Sequence, residues 1–178
     1  MYLRFDDGGL PRFGRLEAGR VTPLDAAPWS GGEPAGPARP YDGLDLLPPV
    51  PPGGKVLCIG RNYLAHAKEL GNEVPAEPLV FLKPSTSLLP HGGTVLLPPE
   101  SERVDFEGEL ALGIGRRARR VAAADFSDGI FGVTPAFDIS ARDLQKKDGQ
   151  WWRAKGFDTF CPVGPVVAEG LDASDLRL

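Results

Sequence analysis

Between Val104 and Leu112 the chain alternates without a break, setting Asp105, Glu107 and Glu109 on one side and Val104, Phe106, Leu110 and Leu112 on the other. A period of two is the signature of a strand, because side chains on a helix recur every 3.6 residues. The segment is therefore a strand with one acid face and one apolar face. Glu107 and Glu109 project the same way, with about 6 to 7 Å between their Cβ atoms. Two carboxylates brought to about 4 Å repel by about 4 kcal/mol at an effective dielectric near 20, so a converging pair needs a proton or a counter-charge. A divalent cation supplies the counter-charge. The same pattern also suits a half-buried antiparallel strand whose acid face is simply solvated.

The rest of the composition points the same way. Twenty-three Gly and nineteen Pro in 178 residues call for many short elements joined by turns, which suits a β-rich fold better than a helix bundle. Residues 28 to 54 hold eight of those prolines, with glycines between, and mark a linker or irregular connection. A boundary is expected there, dividing the chain into residues 1–54 and 55–178. Before it, Tyr2 to Phe5, Gly14 to Glu17 and Arg20 to Thr22 read as short strands of a small N-terminal β element. After it, Lys55 to Ile59, Leu79 to Leu82, Thr94 to Leu97, Asp105 to Gly113, Ile130 to Phe137 and Pro162 to Ala168 read as strands, and Asn62 to Leu70 as a helix.

The net charge of −4 argues against nucleic acid or an anionic membrane surface as the main partner. With no long apolar run and no signal-peptide layout at the N-terminus, a cytoplasmic protein is expected. Cys58 and Cys161 lie far apart and read as buried reduced thiols. Gly113-Ile-Gly-Arg-Arg is only a partial dinucleotide fingerprint, and its strand carries Glu107 and Glu109 where a buried parallel strand would be continuously apolar. No Gly-x-Ser-x-Gly elbow of a serine hydrolase occurs.

Two further places carry chemistry. His66 and Glu69 stand three apart on the expected helix, so the carboxylate can orient the imidazole and stabilise its cation while it activates water. A chance surface pair has the same spacing. In Ala136-Phe-Asp138-Ile-Ser-Ala-Arg142-Asp-Leu-Gln145 an apolar strand ends on an acid, and Arg142 and Gln145 follow three apart. Asp138 offers a further oxygen ligand, and the Arg142 guanidinium matches a carboxylate bidentately. Alternatively, Asp138 or Ser140 caps the helix and Arg142 pairs with a surface acid.

Gly60-Arg-Asn-Tyr with His66 and Glu69, Phe81-Leu-Lys-Pro84, Asp105-Phe-Glu-Gly-Glu-Leu110, Asp138 to Gln145 and Lys155-Gly-Phe-Asp-Thr-Phe-Cys-Pro-Val-Gly-Pro165 occur in this order. In this the chain, from about Lys55 to Val167, resembles the fumarylacetoacetate hydrolase family. The resemblance implies an α+β, mainly β fold: a mixed β-sandwich roll behind the small N-terminal β element. It implies that Glu107, Glu109 and Asp138 bind Mg2+ or Mn2+, and that His66 and Glu69 activate water on a lid. Arg142, Gln145 and Lys155 match residues that hold the substrate carboxylate and stabilise an enolate, Lys155 as a catalytic group. Lys83 of the Phe-Leu-Lys-Pro motif is grouped with the substrate-binding residues.

The chemistry is coherent. Three carboxylates suit a hard octahedral cation and leave positions for a 2-oxo acid and water. The expected activity is metal-dependent carbon-carbon hydrolysis of a 2-oxo or β-diketo acid, of the acylpyruvase kind. The alternatives are isomerisation of 2-hydroxyhepta-2,4-diene-1,7-dioate and decarboxylation of the oxaloacetate type. A homodimer is expected. Two departures stand out: Phe137 precedes Asp138 where many members carry a polar residue, and the Gly-Asp-x-Ile-x-Thr-Gly-Thr-Pro motif is absent. The second leads to the expectation that the C-terminal part of the roll is missing, with an inactive metal-binding or subunit-interaction protein as the non-enzymatic alternative.

Overall fold

The computed structural model describes residues 1–62, 76–172 and 176. Eleven strands run through them: β1 Tyr2–Asp6, β2 Pro11–Glu17, β3 Arg20–Pro23, β4 Arg39–Pro40, β5 Leu46–Leu47, β6 Val56–Gly60, β7 Leu79–Lys83, β8 Leu88–Leu89, β9 Val104–Ile114, β10 Ile130–Ala141 and β11 Cys161–Pro162. Two short helices, α1 Arg142–Asp148 and α2 Trp152–Lys155, follow β10 directly.

The N-terminal strands form one five-stranded sheet in the order β4-β3-β2-β1-β5. Alternation in β1 turns Leu3 and Phe5 inward, where they meet Val21 of β3 in a fully buried apolar cluster. The proline-rich stretch contributes to this sheet, since β4 pairs with β3 and β5 with β1. Backbone hydrogen bonds between Tyr2 and Val167, and ring contacts of Phe131 with Tyr2 and Trp29, join the sheet to the rest of the chain.

β9 and β10 form a long antiparallel ribbon in which Glu107 lies opposite Asp138 and Glu109 opposite Ala136. β6 and β7 form a second antiparallel pair, with Val56 opposite Lys83. A second apolar cluster, of Ile139, Ala141, Leu144, Ala154 and Phe160, packs α1 and α2 against the end of β10. These helices are held by packing, because elements of seven and four residues are too short to persist alone.

Two expected strands change. Residues 94–97 form no strand; Leu96 and Leu97 are exposed, and the Leu96 N–H donates to the Thr159 hydroxyl at 2.9 Å. The apolar character of that stretch had no sheet to join. The expected strand Pro162 to Ala168 is reduced to β11 followed by single bridges of Val163, Val167 and Ala168 to separate partners. Gly164, at φ +117°, and Pro165, with no N–H to donate, interrupt its ladder. The expected helix Asn62 to Leu70 lies outside the described residues except for Asn62.

Candidate active site

The acid face of β9 is half-buried, and together with Asp138 of β10 it meets three cations, Lys83, Arg142 and Lys155. Register places Glu107 directly across from Asp138, because both strands keep the same pleat and neither is bulged at that point. Lys155, at the end of α2, reaches between them. Its Nζ donates to Asp138 Oδ2 at 2.5 Å, Ser140 Oγ at 2.7 Å and Glu107 Oε2 at 3.2 Å. Lys155 is only 2% exposed and Asp138 7%, so these are interior charges that must be compensated.

Arg142, the first residue of α1, closes the other side. Its Nε donates to Asp105 Oδ2 at 2.9 Å, Nη2 to Glu107 Oε1 at 2.5 Å and Nη1 to Gln145 Oε1 at 3.1 Å. Arg142 and Gln145 thus meet as their spacing requires. The acids that Arg142 pairs with are Asp105 and Glu107, both on β9, and no described side chain caps α1. Burial works against ionisation of Glu107, but the nearby Lys155 charge and the Arg142 hydrogen bond outweigh it and hold the carboxyl below its usual range. Asp105 is lowered chiefly by its hydrogen bond from Arg142. Burial works against the Arg142 charge, which bonds to Glu107 and Asp105 nevertheless raise above its usual value.

Aromatic rings wall in Lys155. Its Nζ lies 5.0 Å from the centre of Phe81 and 5.9 Å from that of Trp151, and the two rings meet edge to face. Ring faces stabilise a cation and exclude water from it. Phe81 and Trp151, together with Asp105 and Ser140, lie in the site although none of them was expected among its catalytic, substrate-binding or metal-binding residues. The alternation that picked out Glu107 also put Asp105 on the acid face, which was the available signal.

Lys83 approaches Asp138 from β7, with Nζ 2.8 Å from Oδ1. Its three N–H donors are directed instead at the carbonyls of Ile139 (3.2 Å), Phe160 (2.8 Å) and Lys155. Asp138 Oδ1 is consequently buried without a hydrogen bond. His66 and Glu69 lie outside the described residues. Cys58 and Cys161 are free thiols, and burial pushes the Cys58 thiol up to about 12 and Cys161 upward, so neither is a nucleophile.

Residues 55–178 match the family model described as fumarylacetoacetate (FAA) hydrolase C-terminal, and residues 1–49 match Rv2993c-like, N-terminal. The chain belongs to the fumarylacetoacetate hydrolase family. Its fold is the mainly β fold of that family. A protein of Archaeoglobus fulgidus is 50% identical over 139 residues, which are 78% of this chain and 55% of that protein. The oxaloacetate tautomerase FAHD1 of Arabidopsis thaliana mitochondria is 47% identical over 132 residues, covering 71% of this chain and 59% of its own. The solved structure of 2-hydroxyhepta-2,4-diene-1,7-dioate isomerase from Mycobacterium marinum has a TM-score of 0.85 at 38% identity, over 98% of this chain and 68% of that one. The chain spans somewhat over half the length of these two curated relatives.

Enzymes of the family generally use a divalent metal. The residues present fit one: Glu107 and Asp138 face each other across the ribbon, and Asp138 Oδ1 offers a buried carboxylate oxygen that no hydrogen bond satisfies. Glu109 shares their face one repeat along β9. Among the described residues no three His, Cys, Asp or Glu side chains already converge as a ligand set, and Lys155 bridges Glu107 and Asp138.

Proposed function

We propose that the chain is a metal-dependent enzyme that adds or removes a proton beside the 2-oxo group of a small 2-oxo dicarboxylic acid, as in keto-enol tautomerisation or double-bond isomerisation. The observation that carries this reading is Lys155, an ammonium buried between two aromatic rings and hydrogen-bonded to both Glu107 and Asp138. An amine held in a dry site beside carboxylates can deliver a proton to the carbon of an enolate and take it back.

A divalent cation bound by Glu107, Glu109 and Asp138 would polarise the 2-oxo oxygen as a Lewis acid and stabilise negative charge developing there. The chain's own residues do the rest. Arg142 is fixed through three of its five N–H groups, to Asp105, Glu107 and Gln145, and its other donors suit a carboxylate. Gln145 orients it. Phe81 and Trp151 keep water from Lys155, so the proton it carries is reserved for the substrate.

The similarity to the Arabidopsis tautomerase and the Mycobacterium marinum isomerase supports proton transfer rather than the carbon-carbon hydrolysis expected from the resemblance, which in addition requires a water-activating pair. Both reactions pass through an enolate, so the same residues serve either. The test is to supply Mg2+ with oxaloacetate, a hydroxydienoic diacid and acylpyruvates, and to repeat the assays with Glu109→Gln. Tautomerisation or isomerisation that collapses in the variant is the expected result. Turnover of acylpyruvates alone would transfer the assignment to hydrolysis, and no turnover of any of them would sink the enzymatic reading.

A further inference from the structure

β7 inverts the usual order of burial: Leu79, Val80 and Leu82 are exposed, while Lys83 at its end is 3% exposed. Lysine is among the residues least often buried, and its charge is costly in the interior unless fully partnered. Here the partnering is complete. The three donors of Nζ meet three backbone carbonyls, and Asp138 Oδ1 supplies the counter-charge at 2.8 Å. Those carbonyls come from three places that build the site: Ile139 follows Asp138 on β10, Lys155 ends α2, and Phe160 precedes β11. The Phe160 carbonyl also accepts the Ile139 N–H at 3.2 Å. It is presented by a turn in which Thr159, a β-branched residue, holds φ +70°. Such a conformation persists only where its surroundings enforce it.

We propose that Lys83 is a positioning residue: it fixes the Asp138 carboxylate and the end of α2 that carries Lys155, and it does not bind substrate. An ammonium whose donors are all committed to backbone has none to offer a substrate carboxylate. By directing its hydrogen bonds at carbonyls and only its charge at Asp138, Lys83 orients the Asp138 carboxylate while leaving Oδ1 without a hydrogen bond, open to a cation. This rests on the reading of Asp138 as a cation ligand under the proposed function.

The test is titration of Mn2+ into the purified, substrate-free 178-residue chain, read by calorimetry and by the electron paramagnetic resonance of bound Mn2+. Lys83→Met keeps the length and removes the charge. Loss of an outer partner of a metal ligand typically weakens binding about 10- to 100-fold, and that is the loss expected, with an altered resonance and, at saturating Mn2+, a lower kcat but a KM within about twofold of wild type. Wild-type Mn2+ affinity with a KM raised about tenfold would show that Lys83 holds substrate, and would overturn the proposal while leaving the metal reading intact. A wild-type chain that binds no Mn2+ would overturn both. Adding Lys83→Met to Asp138→Asn should change Mn2+ affinity by less than about twofold, because the group it acts through is already neutral. A further tenfold loss in that background would count against the proposal. Should Lys83→Met alone fail to fold, the double variant is expected to fold; if it also fails while Asp138→Asn folds, Lys83 serves only the carbonyls and the proposal falls.

Discussion

The N-terminal sheet and the β9-β10 ribbon are both antiparallel and both hide one face, yet they bury opposite chemistry. In the first, Leu3, Phe5 and Val21 fill the interior and the charges lie at the surface, as with Arg15 beside Glu17. In the second, Phe106 and Phe137 stack edge to face in the open, 73% and 45% exposed, while Lys83, Asp138, Ser140 and Lys155 are inside. An apolar interior stabilises without geometric demand, whereas an ionic interior is favourable only if every charge meets a partner. The ribbon therefore holds specified positions, and the sheet holds the fold.

That contrast can be broken at either end. The largest effect is expected from Lys155→Met, which should lower kcat/KM on the preferred 2-oxo acid by about 10² to 10⁴, the usual contribution of a placed acid-base group. Steady-state kinetics check it, and a loss below tenfold would remove Lys155 from the reaction. Next comes Phe5→Ala, which should destabilise the chain by about 3–5 kcal/mol in urea unfolding while leaving Mn2+ affinity of the folded fraction unchanged. Altered Mn2+ affinity would mean that the two regions are not separable.

Acid should act on the ribbon first. Glu107 has its carboxyl held below the unfolded value of about 4.3, so the associated stability is present above that pH and drains away as pH falls through the lower folded value. Melting temperatures measured from pH 6 down to 3 should fall, and should fall less steeply for Glu107→Gln. An unchanged slope would dissociate Glu107 from acid sensitivity. The smallest effect belongs to Glu17→Ala at the exposed Arg15 pair, within about 0.5 kcal/mol by denaturant midpoint.

Much of the site is legible in the order of the residues. Strict alternation from Val104 to Leu112 specifies β9 and its acid face, and the i, i+3 spacing brings Arg142 to Gln145. The stretches that failed, residues 94–97 and the one beginning at Pro162, are short apolar runs whose state depends on whether a neighbouring strand is present to pair with them. Nothing local reports that Lys83 is interior, since the carbonyls that cage it belong to residues 56, 72 and 77 positions further along the chain.

The acid face and the family follow from the sequence alone, the first because periodicity is a local property and the second because the ordered motifs carry the resemblance. Which carboxylates face each other is a matter of tertiary structure. Register sets Glu107 against Asp138, and the packing of α1 and α2 brings Arg142 and Lys155 onto them. Register depends on pairing between strands, and charge compensation depends on which side chains are forced to share one interior, so both are fixed only when the chain folds.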